Sequence, residues 1–86
     1  LLKIKANTDW IVRMLSNPVR GNVNVLLRGI TGTVKLSIKD ITGKTVFTNT
    51  YQNTNGQITL NANLQSGTYI LVAENNNERK ITKFIK

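Results

Sequence analysis

Residues 34–44 read VKLSIKDITGK, and this stretch decides the class of fold. Apolar Val34, Leu36 and Ile38 alternate with polar side chains, which is the period-two pattern of a half-buried strand and not the pattern of a helix. Residues 40–44 read as a turn, and residues 45–51 follow as a second strand-like run. The two runs therefore predict a β-hairpin.

The same alternation extends in both directions from this hairpin. Further strands are predicted at residues 10–15, 22–27, 58–62, 68–73 and 79–86. Asn17-Pro18 breaks the first run, since Pro cannot donate to a strand ladder. Asn55-Gly56 and the triple Asn at 75–77 are turn signals. About seven short strands, with turns every 8–12 residues or so, predict an all-β, immunoglobulin-like antiparallel β-sandwich.

Two of the predicted strands carry more specific expectations. Residues 68–73 are apolar on both faces, which predicts a central position in a sheet. In the last strand, Ile81, Phe84 and Ile85 are expected to supply the apolar side, and their irregular spacing predicts a bulge or twist at the sheet edge. Residues 1–9 are expected to form a linker or arm, which leaves residues 10–86 as one domain.

The composition argues against most kinds of catalysis and metal binding. The chain has no Cys and no His, so it lacks the usual general base, the thiol nucleophile and the ligands of zinc, iron and copper. We expect no enzymatic activity, no metal and no cofactor. Twelve basic residues against four acidic ones give a net charge of +8, which favours nucleic acid, anionic lipid or lipopolysaccharide, or an acidic protein surface as a partner. Specific nucleic-acid recognition is not expected, because the aromatic residues fall at strand positions suited to a core.

Four segments together resemble a known family. They are SNPV at residues 16–19, VKLSIKDITGK at 34–44, LQSGTYIL at 64–71 and KITKFIK at 80–86. In this order they are similar to the Pro-Asn-Pro opening, the strand with an Asp…Gly-Lys turn, the Leu-x-x-Gly-x-Tyr box and the basic last strand of the type A C-terminal sorting domain of the type IX secretion system of Gram-negative bacteria. Ser16 stands where that family has its first Pro. The likeness covers about residues 10–86.

The resemblance implies a function. Such a domain directs an upstream cargo protein out of the cell, through the periplasm to the outer membrane, the cell surface or the medium. An outer-membrane translocon recognises it, and a sortase-like cysteine protease then removes it at the cell surface. The cargo is released or linked to anionic lipopolysaccharide.

The candidate recognition residues lie in three of these segments. Gly67 allows a close turn into its strand, and Tyr69 is expected to bury its ring and hydrogen-bond its hydroxyl. The terminal cations either discourage edge-to-edge pairing or are captured by a partner that adds a strand or grips the carboxylate of Lys86. The full set is Asn17, Pro18, Gly67, Thr68, Tyr69, Lys80, Lys83, Ile85 and Lys86.

An alternative is an immunoglobulin-like adhesion or carbohydrate-binding module of a large exported protein. Trp10 is the only tryptophan, and it is expected to anchor the core or a sheet edge and not to stack on a sugar. An exposed final strand also allows a homodimer through the sheet edge.

Overall fold

The computed structural model describes residues 10–86, which form two antiparallel β-sheets. The strands are β1 (Ile11–Met14), β2 (Val23–Arg28), β3 (Thr33–Asp40), β4 (Thr45–Gln52), β5 (Gly56–Leu60), β6 (Thr68–Asn75) and β7 (Glu78–Ile85). One sheet has the order β1-β2-β5 and the other the order β4-β3-β6-β7. The predicted all-β antiparallel sandwich of about seven strands is confirmed, whereas the expected arm at 1–9 lies outside the described residues. No helix within residues 10–86 is long and apolar enough to cross a membrane.

The core is built from the alternation that the sequence shows. Val34, Leu36 and Ile38 of β3 are fully buried, and they share one core cluster with the inward side chains of β2. Those side chains are Val23, Val25 and Leu27. Because successive residues of a strand point to opposite faces, each of these strands contributes one apolar wall and one solvated face.

β6 lies in the interior of its sheet, as its two apolar faces predict. It pairs with β3 on one side and with β7 on the other. Leu71 and Ala73 point into the sandwich, while Val72 is buried on the outer face among its neighbours. The continuous hydrophobic run thus reflects a strand that is covered on both faces.

β7 corrects one sequence-based prediction. Its register with β6 is unbroken from Thr68 opposite Ile85 to Asn75 opposite Glu78, so β7 has no bulge against β6, and that alternative of the prediction is wrong. Phe84 alone of the three apolar residues points into the core, because a regular period of two puts Ile81 and Ile85 on the opposite face. The irregularity falls instead between residues 38 and 39 of β3, opposite β4.

Two asparagines hold the crossover from β4 to β5 against the β2–β3 loop. The Ile30 N–H donates to Asn55 Oδ1 over 2.8 Å, and Asn55 Nδ2 donates to the Ile30 carbonyl over 3.1 Å. The Asn53 N–H donates to the Gly32 carbonyl over 2.8 Å, and the Gly32 N–H donates to Asn53 Oδ1 over 2.9 Å. Asn53 and Gly56 have positive φ. Side-chain amides therefore satisfy the backbone groups where the chain leaves one sheet for the other.

The turn between β6 and β7 depends on three consecutive asparagines. Asn76 and Asn77 have φ values of 52° and 67°, and positive φ at both central residues is what a type I′ hairpin requires. Asn75 is buried, and its Nδ2 donates to the carbonyls of Thr31 and Thr33 over 2.9 and 2.8 Å. This one amide joins the β6–β7 hairpin to the start of β3.

We expect Asn75→Asp to lower the free energy of unfolding at neutral pH by about 3 kcal/mol, because a buried carboxylate would face two carbonyl oxygens without a proton to donate. The loss should shrink as the pH falls, since the protonated acid regains one donor. Urea denaturation at several pH values measures both effects. The matched control is Asn77→Asp on the exposed side of the same turn, because Asn76 also donates to the Thr31 carbonyl, over 3.2 Å. Equal losses for the two variants would contradict the role given to Asn75.

Asp40 organises the turn between β3 and β4. Its Oδ1 accepts hydrogen bonds from the Thr42 hydroxyl at 2.6 Å, the Thr42 N–H at 2.9 Å and the Lys44 N–H at 3.0 Å. The Thr42 hydroxyl, followed by the Lys44 N–H, holds the pKa of Asp40 below its ordinary value. The turn predicted at residues 40–44 is confirmed.

The lowered pKa of Asp40 makes its contribution to stability depend on pH. Asp40→Asn keeps an acceptor oxygen but loses the charge, so we expect a lower Tm at neutral pH. The difference from the natural protein should be complete above the unfolded-state pKa of about 4, and it should vanish as the pH falls through the lower folded-state pKa. Thermal melts of both proteins test this, and a difference in Tm that does not change with pH would show that the charge of Asp40 is irrelevant.

Candidate recognition site at the end of the last strand

The end of β7 is held on its β6 side by backbone hydrogen bonds that continue the ladder. Thr68 lies opposite Ile85. Beyond that pair, the Gly67 N–H donates to the Lys86 carbonyl over 3.1 Å, and the Lys86 N–H donates to the Gly67 carbonyl over 2.8 Å. The residues that open the Gly-x-Tyr box therefore fix the last residues of the strand.

The other edge of β7 is held at the same point by the opening segment. The Ile85 N–H donates to Asn17 Oδ1 over 2.9 Å, and the Val19 N–H donates to the Ile85 carbonyl over 2.7 Å. The Asn17–Pro18 peptide bond is cis. The chain itself thus occupies the place at Ile85 where an added strand would bind.

Val19 is the site residue that sequence reasoning missed. Its side chain is buried in the core, while Pro18 and Arg20 on either side of it are exposed. The signal was a single apolar residue after a strand-breaking Pro. That pattern did not show that the segment would run beside Ile85, which is far away in sequence.

Tyr69 supports the site from inside. Its ring is buried and stacks on Phe84 with the ring centroids 5.7 Å apart. Its hydroxyl donates to the Gln65 carbonyl over 2.7 Å. The expected buried ring and bonded hydroxyl are both confirmed. Tyr69 therefore packs inside the sandwich, opposite Phe84 in the ladder between β6 and β7.

The outer face of the site carries an exposed apolar residue among lysines. Ile85 is 48% exposed, and Lys83 is exposed two residues before it on the same face. Ile70 of β6 pairs with Lys83 of β7 on one side and with Lys39 of β3 on the other, so it lies between the two lysines. Lys86 is half-buried and borders a shallow depression. The depression is lined by Gly21, Asn22, Asn61, Ala62, Asn63, Leu64 and Lys86.

Lys80 is not part of this cluster. Its ammonium lies 5.2 Å from the centroid of the Trp10 ring, nearer the other end of β7. Trp10 is only 3% exposed, and its Nε1 donates to Glu78 Oε1 over 2.8 Å. The expectation that Trp10 anchors the core is confirmed, and Lys80 covers that anchor.

The described acidic side chains leave the cations at the end of β7 unneutralised. Glu74 contacts Arg79 at 3.4 Å near the β6–β7 turn, and Glu78 accepts from Trp10. Asp40 lies at the site end of the sheet, opposite Tyr69, but its carboxylate serves its own turn. Among residues 10–86, no group of three or more acidic side chains is placed to hold a metal ion. The arrangement can present a folded, cationic and partly apolar surface.

Comparison with known proteins identifies a family for this domain. The family model described as the secretion system C-terminal sorting domain matches residues 16–86. The match begins with the opening segment and runs through β7, so it contains all the segments that meet at Ile85. The search of curated proteins finds no match. Because the family match covers most of the 86 residues, the chain belongs to the type IX secretion system C-terminal sorting domain family, whose members are sorting signals of exported proteins.

Proposed function

We propose that this chain is the secretion signal of an exported cargo protein and that the export machinery recognises the end of the sandwich around Ile85. The observation that carries the proposal is the set of hydrogen bonds at that point, in which the Asn17 side chain and the main chains of Val19, Gly67 and Lys86 hold the end of β7. Segments far apart in sequence form one surface there. Such a surface exists only in the folded domain, so recognition would be of a folded sandwich.

The site residues divide into those that contact the partner and those that position them. Ile85 and Lys83 are exposed on the outer face, and Asn17 and Pro18 are exposed beside them. Tyr69 is buried and acts through its neighbours. An apolar centre with a cationic rim fits an acidic, partly apolar protein surface, which in this proposal belongs to the outer-membrane translocon.

Trp10 marks the boundary that we propose between sandwich and cargo. Its buried ring and its hydrogen bond to Glu78 fix it to the domain. Residues 1–9 would then link to the upstream cargo. A cut before Trp10 by a sortase-like cysteine protease at the cell surface would leave the sandwich whole and free the cargo for release or for linkage to lipopolysaccharide.

Further proposals concern the fold type, the affinity for lipopolysaccharide, the lack of catalysis and the alternatives of a homodimer or an adhesion module. We describe the sandwich as immunoglobulin-like from its seven antiparallel strands in two sheets. The cationic surface would favour anionic lipopolysaccharide at the outer membrane, and the domain would act by recognition without catalysis. A homodimer through the final strand would have to displace Asn17 and Val19 from Ile85. An adhesion module gains no support from Trp10, because its ring is buried.

The proposal predicts that Ile85→Ser and Lys83→Glu reduce surface delivery of a passive reporter fused to this chain, in a host that has the type IX system. Both side chains are exposed, so the sandwich should stay folded, which circular dichroism can verify. Ile81→Ser is the matched control, since Ile81 is 60% exposed on the same face of the same strand but farther from the site. It should leave delivery unchanged.

Two outcomes would overturn this function. One is undiminished delivery by a folded Ile85→Ser, Lys83→Glu double variant. The other is surface delivery that survives deletion of the last ten residues, 77–86, which removes the whole of β7. A clear hit on a glycan array would instead favour the adhesion module.

The hydrogen bond from Ile85 to Asn17 predicts a local effect on the end of β7. Asn17→Ala should speed hydrogen exchange at the Ile85 amide and lower the free energy of unfolding by about 1 kcal/mol. Asn17→Asp keeps an acceptor at the same place and should largely preserve protection. Exchange measured by NMR separates the two variants, and an unchanged Ile85 rate in Asn17→Ala would remove Asn17 from the positioning role.

A further inference from the structure

The chain covers the end of one edge of its four-stranded sheet and leaves the other edge without a strand partner. Asn17 and Val19 occupy the β7 edge at Ile85. At the opposite edge, β4 pairs with β3 and has no second strand partner among residues 10–86. β4 reads TVFTNTYQ, with no charged residue and no Pro. Sheet edges are commonly protected by charge, Pro or bulges, and the one irregularity here lies near the start of β4.

The backbone groups that face the open edge can be identified. The hydrogen bond from the Asn53 N–H to the Gly32 carbonyl marks a hydrogen-bonded pair at the end of the ladder. Hydrogen-bonded and non-bonded pairs alternate along antiparallel strands. The register of β3 and β4 then directs the main-chain groups of Thr48, Thr50 and Gln52 away from β3.

Two side-chain contacts agree with this assignment. The Thr50 N–H donates to Asn49 Oδ1 over 2.9 Å, and the Gln52 carbonyl accepts from the Thr54 hydroxyl over 3.0 Å. Both contacts are exposed and local, so an incoming strand can replace them. The main-chain groups of Thr48 have no such contact within the described part of the chain.

The surroundings of β4 select the kind of strand that would bind. Phe47 and Tyr51 are only half-buried against the core, so an added strand would cover more of their surface. On the outer face, Lys35 lies opposite Thr50 and Lys39 lies opposite Thr45. Two acids lie nearby: Glu74, opposite Lys35 on the β6 side, contacts Arg79 at 3.4 Å, and Asp40 is held in its turn by Thr42 and Lys44. A second copy of the chain would bring a net charge of +8 against another +8, which like-charge repulsion opposes.

We propose that β4 is a strand-addition site for an acidic, extended segment of another polypeptide. Main-chain hydrogen bonds to Thr48, Thr50 and Gln52 would hold the segment, and its carboxylates would lie near Lys35 and Lys39. This site goes beyond the secretion signal proposed above, because it uses the opposite edge of the sheet. The failure of either proposal leaves the other standing.

Titration of the full 86-residue chain, labelled with ¹⁵N, with the blocked acidic peptide EVDVEVD tests this site. We expect chemical-shift changes at the amides of Thr48, Thr50 and Gln52, slower hydrogen exchange at Thr48, and much weaker binding of the control peptide KVKVKVK. Thr48→Pro should weaken binding by about tenfold or more, because it removes an outward main-chain donor without breaking a main-chain bond to β3. Both Thr48→Pro and Thr48→Val lose the hydroxyl that lies 3.2 Å from Ser37 Oγ, so the comparison of the two isolates the main-chain donor. Thr48→Val keeps that donor and should bind within about twofold of the natural protein.

A second variant keeps the test decisive if Thr48→Pro does not fold. Lys35→Glu with Lys39→Glu changes only side chains on the outer face, and it should weaken EVDVEVD and strengthen KVKVKVK. Shifts confined to β7, equal binding of both peptides, or full affinity in a folded Thr48→Pro would overturn the proposal. So would a dimer of the chain alone that buries β4 in sedimentation and NMR experiments.

Discussion

Hydrogen bonds to its main chain hold the last strand on both of its edges at its end, and the shape of the proposed recognition site depends on that double attachment. Gly67 and Lys86 exchange hydrogen bonds on one side, while Asn17 and Val19 hold the other side. A strand terminus without such partners would fray, because its backbone groups would bond to water as readily as to protein. The exposed side chains around it can therefore keep a fixed arrangement with few contacts of their own.

Asparagine side chains link parts of the chain that are far apart in sequence, as disulfides do in other small domains. The chain has no Cys, yet it must pass repeatedly between two sheets. Asn53 and Asn55 bridge the β4–β5 crossover to the β2–β3 loop, and Asn75 joins the β6–β7 hairpin to β3. An amide side chain both donates and accepts, so it can bond the N–H and the C=O of one residue at a loop. The asparagines thus join separate parts of the fold in addition to forming turns.

The two edges of the four-stranded sheet differ in whether their main-chain groups are already bonded, so each edge suits a different kind of partner. The β7 edge is already occupied at Ile85, so a partner there would contact exposed side chains and would not add a strand at that point. The β4 edge presents main-chain groups beside lysines, so a partner there would be held mainly by its own backbone. One small domain can in this way carry two surfaces at opposite edges of a sheet, with Lys39 between them.

Local sequence pattern by itself determined the strands, the turns at residues 40–44 and 75–77, the central place of β6 and the burial of Tyr69. These depend on period-two alternation and turn chemistry, which act between near neighbours. Only the tertiary structure decided that Asn17 meets Ile85, that Lys80 turns to Trp10 and that the last strand has no bulge. Contacts between residues so far apart depend on how the two sheets stack and on which segment covers each sheet edge. Neither can be inferred from the local alternation of apolar and polar residues.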